Sequence, residues 1–351
     1  MARVFVGTQN QLTEAALPDY LRRIGLVGAS DPVAVEKAGD GNINWVRRAR
    51  VSAPGESAAS RPSWIVKQAR PALERFPEYQ VTTERIVFEH RWYETVRDFD
   101  EDGVCPQIHG FDVESRVLVL EDLGGAERLD AALVRGADLT AALETLARFL
   151  GRQHAGTRSP ELAERFANDE MRRLHGDHIF LLPLRPNDFP LEAPVAARAV
   201  ELQRDATFVA LADAAYARYL EPRGALVHGD VQAGNVLLAA SGPKLLDAEI
   251  AHVGDPAFDV GTLVAHVVLP DAARGEPGRA APAVAALWGA YVRSHGGDAL
   301  PEFPAVARYA GLELMRRTLG AARVPATLEA EGALAVLEAA EAWVRNPPEQ
   351  P

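Results

Sequence analysis

The sequence has one cysteine, Cys105, in 351 residues. A lone thiol closes no intrachain disulfide and builds no zinc cluster. Nothing beside it marks a nucleophile, so it reads as a small buried hydrophobe. Long apolar runs are missing too: no uncharged stretch approaches the roughly 18 residues that read as a membrane-spanning helix. The first residues, Met1 to Val6, meet Gln9 and Asn10 too soon to form the apolar heart of a signal peptide. The expectation is a cytoplasmic protein with no membrane partner. Positive charge is in deficit, 37 Lys and Arg against 49 Asp and Glu, for a net charge of −12. A nucleic-acid surface should be basic, which argues against that partner. The acidic balance suits a cationic ligand or plain solubility.

What is present is apolar mass, 48% of the residues, ample for a sizeable core. A soft prior of roughly 150 residues per domain gives about two domains. Apolar spacing predicts a short amphipathic helix over 11–28, with Leu12, Ala15, Leu21 and Ile24 on one side. Residues 33–51 read as a strand pair around the turn Gly39-Asp40-Gly41-Asn42. The segment 53–62 is a loop by composition, and 64–67 is another strand. A helix over 82–96 follows, capped by Thr82 or Thr83. The continuous apolar run 117–120 is a buried strand, and 121–125 reads as a hinge. The boundary is placed there, giving a β-rich half over 1–122 and a mostly helical half over 123–351. In the second half, 3.6-type spacing predicts helices over 132–151, 194–219, 281–294 and 303–319. Short strands are expected at 225–227 and 244–246, and a frayed tail at 346–351. The class is α+β, and a cleft between two such halves is a natural ligand site.

Phosphoryl transfer needs positioning, charge neutralisation and a carboxylate near the attacking hydroxyl more than it needs covalent help. His228-Gly229-Asp230-Val231-Gln232-Ala233-Gly234-Asn235 is a polar loop flanked by apolar strand-like runs. Asp230 is the candidate base, and Asn235 offers an amide oxygen to Mg²⁺, a cation that prefers oxygen. Asp247 ends the next apolar run, and strand alternation would put Asp247 and Glu249 on one side. Two such carboxylates repel unless a cation joins them. Asp259 is expected to cap a following helix and to bond back to the loop. His228 is expected to brace the loop rather than to transfer protons. In the first half, Gly39-Asp40-Gly41-Asn42-Ile43-Asn44 is a turn that lets backbone N–H groups approach phosphates, although Asp-Gly is also a common hairpin turn. Lys67 lies in an apolar strand, where it is either an edge lysine or the partner of Glu89, aimed at the α- and β-phosphates.

His-Gly-Asp with Asn at this spacing, followed by the Asp247 segment, resembles the aminoglycoside phosphotransferase and choline kinase superfamily. That resemblance implies a protein-kinase-like bilobal fold with ATP and Mg²⁺ as cofactors. Within it, Glu36 to Asn44, Ile65 to Pro71, Thr83 to Glu89 and Asp247-Ala248-Glu249 are similar to the methylthioribose kinases. Leu120-Glu121-Asp122-Leu123 resembles their hinge, implying adenine contacts at the backbone of Glu121 and Leu123. Leu314 to Gly320 resembles their paired-arginine segment, which implies that Arg316 and Arg317 stabilise the transferred phosphoryl; the alternative is a surface pair on a helix. Asn235 stands where those kinases carry serine, and Gly254-Asp255-Pro256 is closer to antibiotic kinases. The expected activity is phosphorylation of a hydroxyl on a ribose-type sugar such as methylthioribose. The alternatives are an antibiotic or other natural-product kinase and a nucleotide-binding protein without catalysis. A homodimer is implied by resemblance only.

Overall fold

The computed structural model describes residues 3–5, 11–39, 43–52, 61–72, 80–297 and 299–351. The chain divides into two compact units, Met1–Glu94 with Pro106–Gly125, and Thr95–Cys105 with Ala126–Pro351. The sequence places residues 95–105 with the first half, but they belong to the second unit. The cause is local: Leu245 N donates to Val104 O at 2.9 Å and Lys244 Nζ to Gly103 O at 2.7 Å. Asp102 also takes ion pairs from Arg148 and Arg152.

Among the described residues, the first unit is a six-stranded sheet with two helices. In chain order it contains β1 (Arg3–Phe5), α1 (Leu17–Arg23), β2 (Val33–Lys37), β3 (Trp45–Val51), β4 (Ser63–Gln68), α2 (Arg85–Val96), β5 (Ile108–Asp112) and β6 (Val117–Glu121). The strand order is β1-β5-β6-β4-β3-β2, with β1 parallel to β5 and every other pair antiparallel. Side chains alternate across a strand, so Trp64 and Val66 of β4 turn to one face. There they join Leu17, Tyr20 and Leu21 of α1, with Trp45 and Val119, in a single apolar cluster. The same alternation sends Lys67 to the other face.

The second unit contains β7 (Glu127–Arg128), α3 (Leu129–Val134), α4 (Thr140–Gly156), α5 (Pro160–Arg165), α6 (Asp169–Gly176), α7 (Ala193–Arg204) and α8 (Ala206–Tyr219). There follow β8 (Ala225–Val227), β9 (Val236–Ala239), β10 (Gly242–Leu245), β11 (His252–Gly254), α9 (Ala257–Ala272), α10 (Ala281–His295), α11 (Phe303–Leu319) and α12 (Ala330–Arg345). Strands β10, β9 and β7 make one small sheet, and β11 with β8 another. The predicted helix 132–151 is two helices, α3 and α4, because Gly136 turns left-handed at φ +74°. The predicted helix 194–219 is also two, α7 and α8, because the Asp205 side chain caps α8 by accepting from Phe208 N. At Gly261 of α9, a Cβ would stand 2.7 Å from Val306 O of α11. That close approach seats α11 against the buried helix beneath the Asp230 loop. Among the described residues, no helix is long and apolar enough to cross a membrane.

Candidate active site

In the first unit, Lys67 Nζ lies 2.7 Å from Glu89 Oε2, with side chains 4% and 0% exposed. Lys67 is therefore no edge lysine; both charges are out of water, which holds only because each satisfies the other. The Asn44 side chain anchors the segment expected from the sequence to face phosphate: its Oδ1 accepts from Arg85 Nε at 3.1 Å. Arg85 is fully buried and also donates to Thr82 O at 2.5 Å and Arg70 O at 3.0 Å. One guanidinium thus ties β3's leading edge, the end of β4 and the start of α2 together. Gly39 takes φ +66°, left-handed backbone that glycine adopts without steric cost. Asp40, Gly41 and Asn42 lie outside the described residues. Glu121 ends β6, where its N donates to Gln107 O and its Oε1 accepts from Gln107 N, each at 2.9 Å. Leu123 follows, half-buried. Between them Asp122 pairs with Arg48 Nε at 2.8 Å and accepts from Gly124 N at 3.0 Å, which fixes the segment after β6.

The second unit holds the Asp230 loop. Strand β8 runs into it, and Gly229 makes the turn at φ +84°, where a Cβ would meet Ile250 O at 2.8 Å. Two backbone donors, His228 N and Gly229 N, give their hydrogens to Asp259 at 2.7 and 2.9 Å. His154 Nε2 stands 3.2 Å from the same carboxylate, and its Nδ1 meets the Tyr291 hydroxyl at 3.0 Å. Burial pushes the Asp259 carboxyl up, but the His154 ring and the loop N–H donors outweigh it and hold it below its ordinary value. The sequence expectation that Asp259 caps a helix needs correction. Helix α9 begins at Ala257, so Asp259 sits inside its first turn, and the Asp255 side chain accepts from Ala257 N. The bond back to the loop is as expected. His228 spans two segments, accepting from Asp230 N at Nδ1 (3.2 Å) and meeting Leu246 O at Nε2 (3.1 Å). A carbonyl accepts only, so Nε2 carries the proton and the ring is neutral. It braces the loop to the Asp247 segment.

Asp230 is asymmetric. Its Oδ2 accepts from Gln232 Nε2 and from Asn235 Nδ2, both at 2.8 Å. Its Oδ1 is buried without a hydrogen-bond partner. Burial alone would raise this carboxyl; His175, Arg316, Arg317 and the Gln232 amide leave it below its ordinary value. With His175 neutral, as its own burial dictates, the arginines carry most of that effect. Arg316 and Arg317 on α11 are not surface arginines: each is 7% exposed. Arg316 grips Glu313 with Nε at 2.7 Å and Nη2 at 2.8 Å, and Arg317 Nε reaches the same carboxylate at 2.7 Å. Arg317 Nη2 also donates to Gln232 Oε1. Gln232 is therefore a link, holding the base on one side and an arginine on the other.

Asn235 has spent its amide hydrogens on Asp230 O and Oδ2, at 3.0 and 2.8 Å, so its Oδ1 presents lone pairs only. Asp247 takes φ +66°, and the chain after β10 is not extended. The alternation that would place Asp247 and Glu249 on one side therefore does not apply. Glu249 is buried, and its carbonyl accepts from Asn168 Nδ2 at 3.0 Å. Among the described residues, no three or more His, Cys, Asp or Glu side chains are grouped to hold a metal by themselves. Gln232, His175, Glu313 and Arg85 are additions to the sequence-derived set. Gln232 was visible within the loop motif; the others needed the fold.

A family model described as "Phosphotransferase enzyme family" matches residues 50–296. A methylthioribose kinase of Pectobacterium atrosepticum is 31% identical over 286 residues, 76% of this chain and 68% of that protein. One of Bacillus cereus is 27% identical over 347 residues, 89% of this chain and 85% of its own length. Among solved structures, choline kinase from Cryptosporidium parvum superposes with a TM-score of 0.57 at 12% identity, over 94% of each chain. Choline kinase LicA from Streptococcus pneumoniae gives 0.51 at 17%, over 95% of this chain and 98% of that one. These two show the fold alone, an α+β fold of the protein-kinase-like type. With the family model spanning 247 of 351 residues around the Asp230 loop, the chain belongs to the phosphotransferase enzyme family.

Proposed function

We propose that this protein transfers the γ-phosphate of ATP to a hydroxyl of a ribose-type sugar such as methylthioribose. The observation that carries the chemistry is the Asp230 carboxylate, with one oxygen held by two amides and the other buried and bare. A bare buried carboxylate oxygen is the acceptor a substrate O–H needs. The sugar O–H donates to Oδ1 and its oxygen attacks the γ-phosphorus in line. The new O–P bond forms as the bond from phosphorus to the β,γ-bridging oxygen breaks, and ADP leaves with that electron pair.

Charge points to the kind of acceptor. Around Asp230 stand Glu313, Arg316 and Arg317, two negative and two positive groups. His175 and His266 are driven toward neutrality by burial. The group sums to zero, which suits an uncharged polyol and gives a polycationic antibiotic no surplus of carboxylate. Arg316 uses two of its five N–H donors on Glu313; the rest serve the charge that develops on the transferred phosphoryl. In the first unit, the Lys67 ammonium held by Glu89 serves the α- and β-phosphates, and the backbone at Glu121 and Leu123 serves adenine. The oxygen donors Asn235, Asp247 and Glu249 fit Mg²⁺, and the Asn235 amide can offer only its oxygen. When bound, Mg²⁺ neutralises charge on the phosphate oxygens.

The test is ATP consumption with methylthioribose, ribose, choline and kanamycin, each at equal concentration. Turnover of the ribose compounds above the two cations is the expected result. Preference for choline or kanamycin, or no acceptor-dependent turnover at all, overturns the reading.

A further inference from the structure

His175, at the end of α6, is a buried polar group that the chemistry above does not use. The residue is 8% exposed, and its ring lies edge-on to Phe258. Its seat is fixed from behind: at Gly176 a Cβ would stand 2.6 Å from the Tyr216 ring, and the chain then enters a π-helical turn, Asp177–Leu181. Such turns recur at functional sites. Burial pushes the imidazole down to about 4 against the pull of Asp230, so at neutral pH it is uncharged and carries one N–H. Its Nδ1 is buried without a partner, so nothing else in the fold sets the tautomer. The Asp230 carboxylate, 3.7 Å from Nε2, favours the proton there.

That distance is too long for a direct hydrogen bond. Two buried groups thus face each other, a bare acceptor at Asp230 Oδ1 and a donor at His175 Nε2. Neighbouring oxygens of a gauche vicinal diol sit about one hydrogen-bond length apart, less than the 3.7 Å between these two atoms, so one bond from each atom can converge on such a pair. We propose that the acceptor carries a vicinal diol: the hydroxyl to be phosphorylated donates to Asp230 Oδ1, and the adjacent hydroxyl accepts from His175 Nε2. This rests on the sugar-kinase reading and sharpens it to a class of acceptor. His175 then selects substrate, and it performs no proton transfer.

The experiment pairs two enzyme variants with two substrates. The substrates are methylthioribose and its deoxy analogue lacking the hydroxyl adjacent to the one phosphorylated, that position being located by phosphorus-coupled NMR of the product. Wild type should lose roughly tenfold in kcat/KM on the analogue, as expected for a buried donor left unpaired. His175→Ala should lose a similar factor on methylthioribose and almost nothing further on the analogue. His175→Gln, which keeps an N–H near the Nε2 position, should recover most of the loss. Equal loss in His175→Ala on both substrates, with no recovery in His175→Gln, makes His175 a packing residue and overturns the inference. Absence of turnover with methylthioribose in wild type instead removes the sugar reading, and this inference with it.

Discussion

Gln232→Ala is the most informative small perturbation. The side chain makes two bonds, donating to Asp230 Oδ2 at 2.8 Å and accepting from Arg317 Nη2. Both partners are charged, and a hydrogen bond to a charged group is worth about 1.5–3 kcal/mol. Only the Asp230 bond bears on the base directly, and Asn235 Nδ2 still holds the same oxygen. The barrier should therefore rise by one such bond, a loss of about 10- to 150-fold in kcat at ~1.4 kcal/mol per decade. Gln232 is half-buried, so water can enter the gap, and about tenfold is the expected end of that range. KM for ATP should hardly move, because the groups assigned to the nucleotide in the first unit are untouched. Gln232→Glu separates position from charge. It keeps an oxygen for Arg317 but sets a second carboxylate against Asp230, which raises proton affinity of the pair. Its kcat should fall below that of the alanine variant near pH 6 and recover as pH rises. Steady-state rates across pH 5.5–9 by coupled ADP release provide the assay. An alanine variant with wild-type kcat, or a glutamate variant with an unshifted pH profile, refutes the positioning role.

Asp259 positions the loop through its backbone, and its carboxylate is fully buried among three donors. Asp259→Ala should destabilise the protein by about 3–5 kcal/mol, the cost of breaking a buried ionic network from one side, as read by chemical denaturation; a change under 1 kcal/mol would falsify this assignment. Acidification supplies another check. His175 and His252 are both buried and held at about 4, against about 6.5 in an unfolded chain. Folded and unfolded forms are neutral above pH 7, so these rings contribute nothing there. As pH falls from 6.5 to 4 only the unfolded state takes up protons, costing up to about 3 kcal/mol per ring. Below that range the depressed carboxyls of Asp230, Asp259 and Glu313 add loss in the same direction, since their stabilisation needs the ionised form. The melting temperature should therefore drop steeply between pH 6.5 and 4.5, and the drop should shrink in His252→Phe. A flat profile over that window contradicts the buried neutral histidines.

Much of the architecture was legible because apolar periodicity is a local signal. Helix α11 spans Phe303–Leu319 as its spacing predicts, and β4 covers the predicted strand with one residue added at each end. Helix α12 was equally legible in Ala333, Val336, Leu337, Ala340 and Val344, but it was not among the predicted elements. The splits at Gly136 and Asp205 depend on a left-handed turn and a cap, each of which one residue decides. At the site, loop chemistry could be read from Asp230 and Asn235, whose bond spans five residues. Asp247 could not be placed, because nothing in Leu245-Leu246-Asp247 announces a positive φ at an aspartate. The anchoring bond of the Asn44 side chain could not be read, because its partner, Arg85, lies 41 residues away. His175 carries no motif; its meaning comes only from where α6 sets it beside Asp230.

The central claim is that Asp230 is the base of a sugar-directed phosphoryl transfer. Asp230→Ala, assayed with ATP, Mg²⁺ and methylthioribose beside equilibrium binding of a non-hydrolysable ATP analogue, tests it most directly. The account predicts a fall in kcat of about 10²- to 10⁴-fold, the usual contribution of a general base, with nucleotide affinity unchanged. A variant that phosphorylates methylthioribose at the wild-type rate, or that loses activity only because it no longer binds nucleotide, contradicts it.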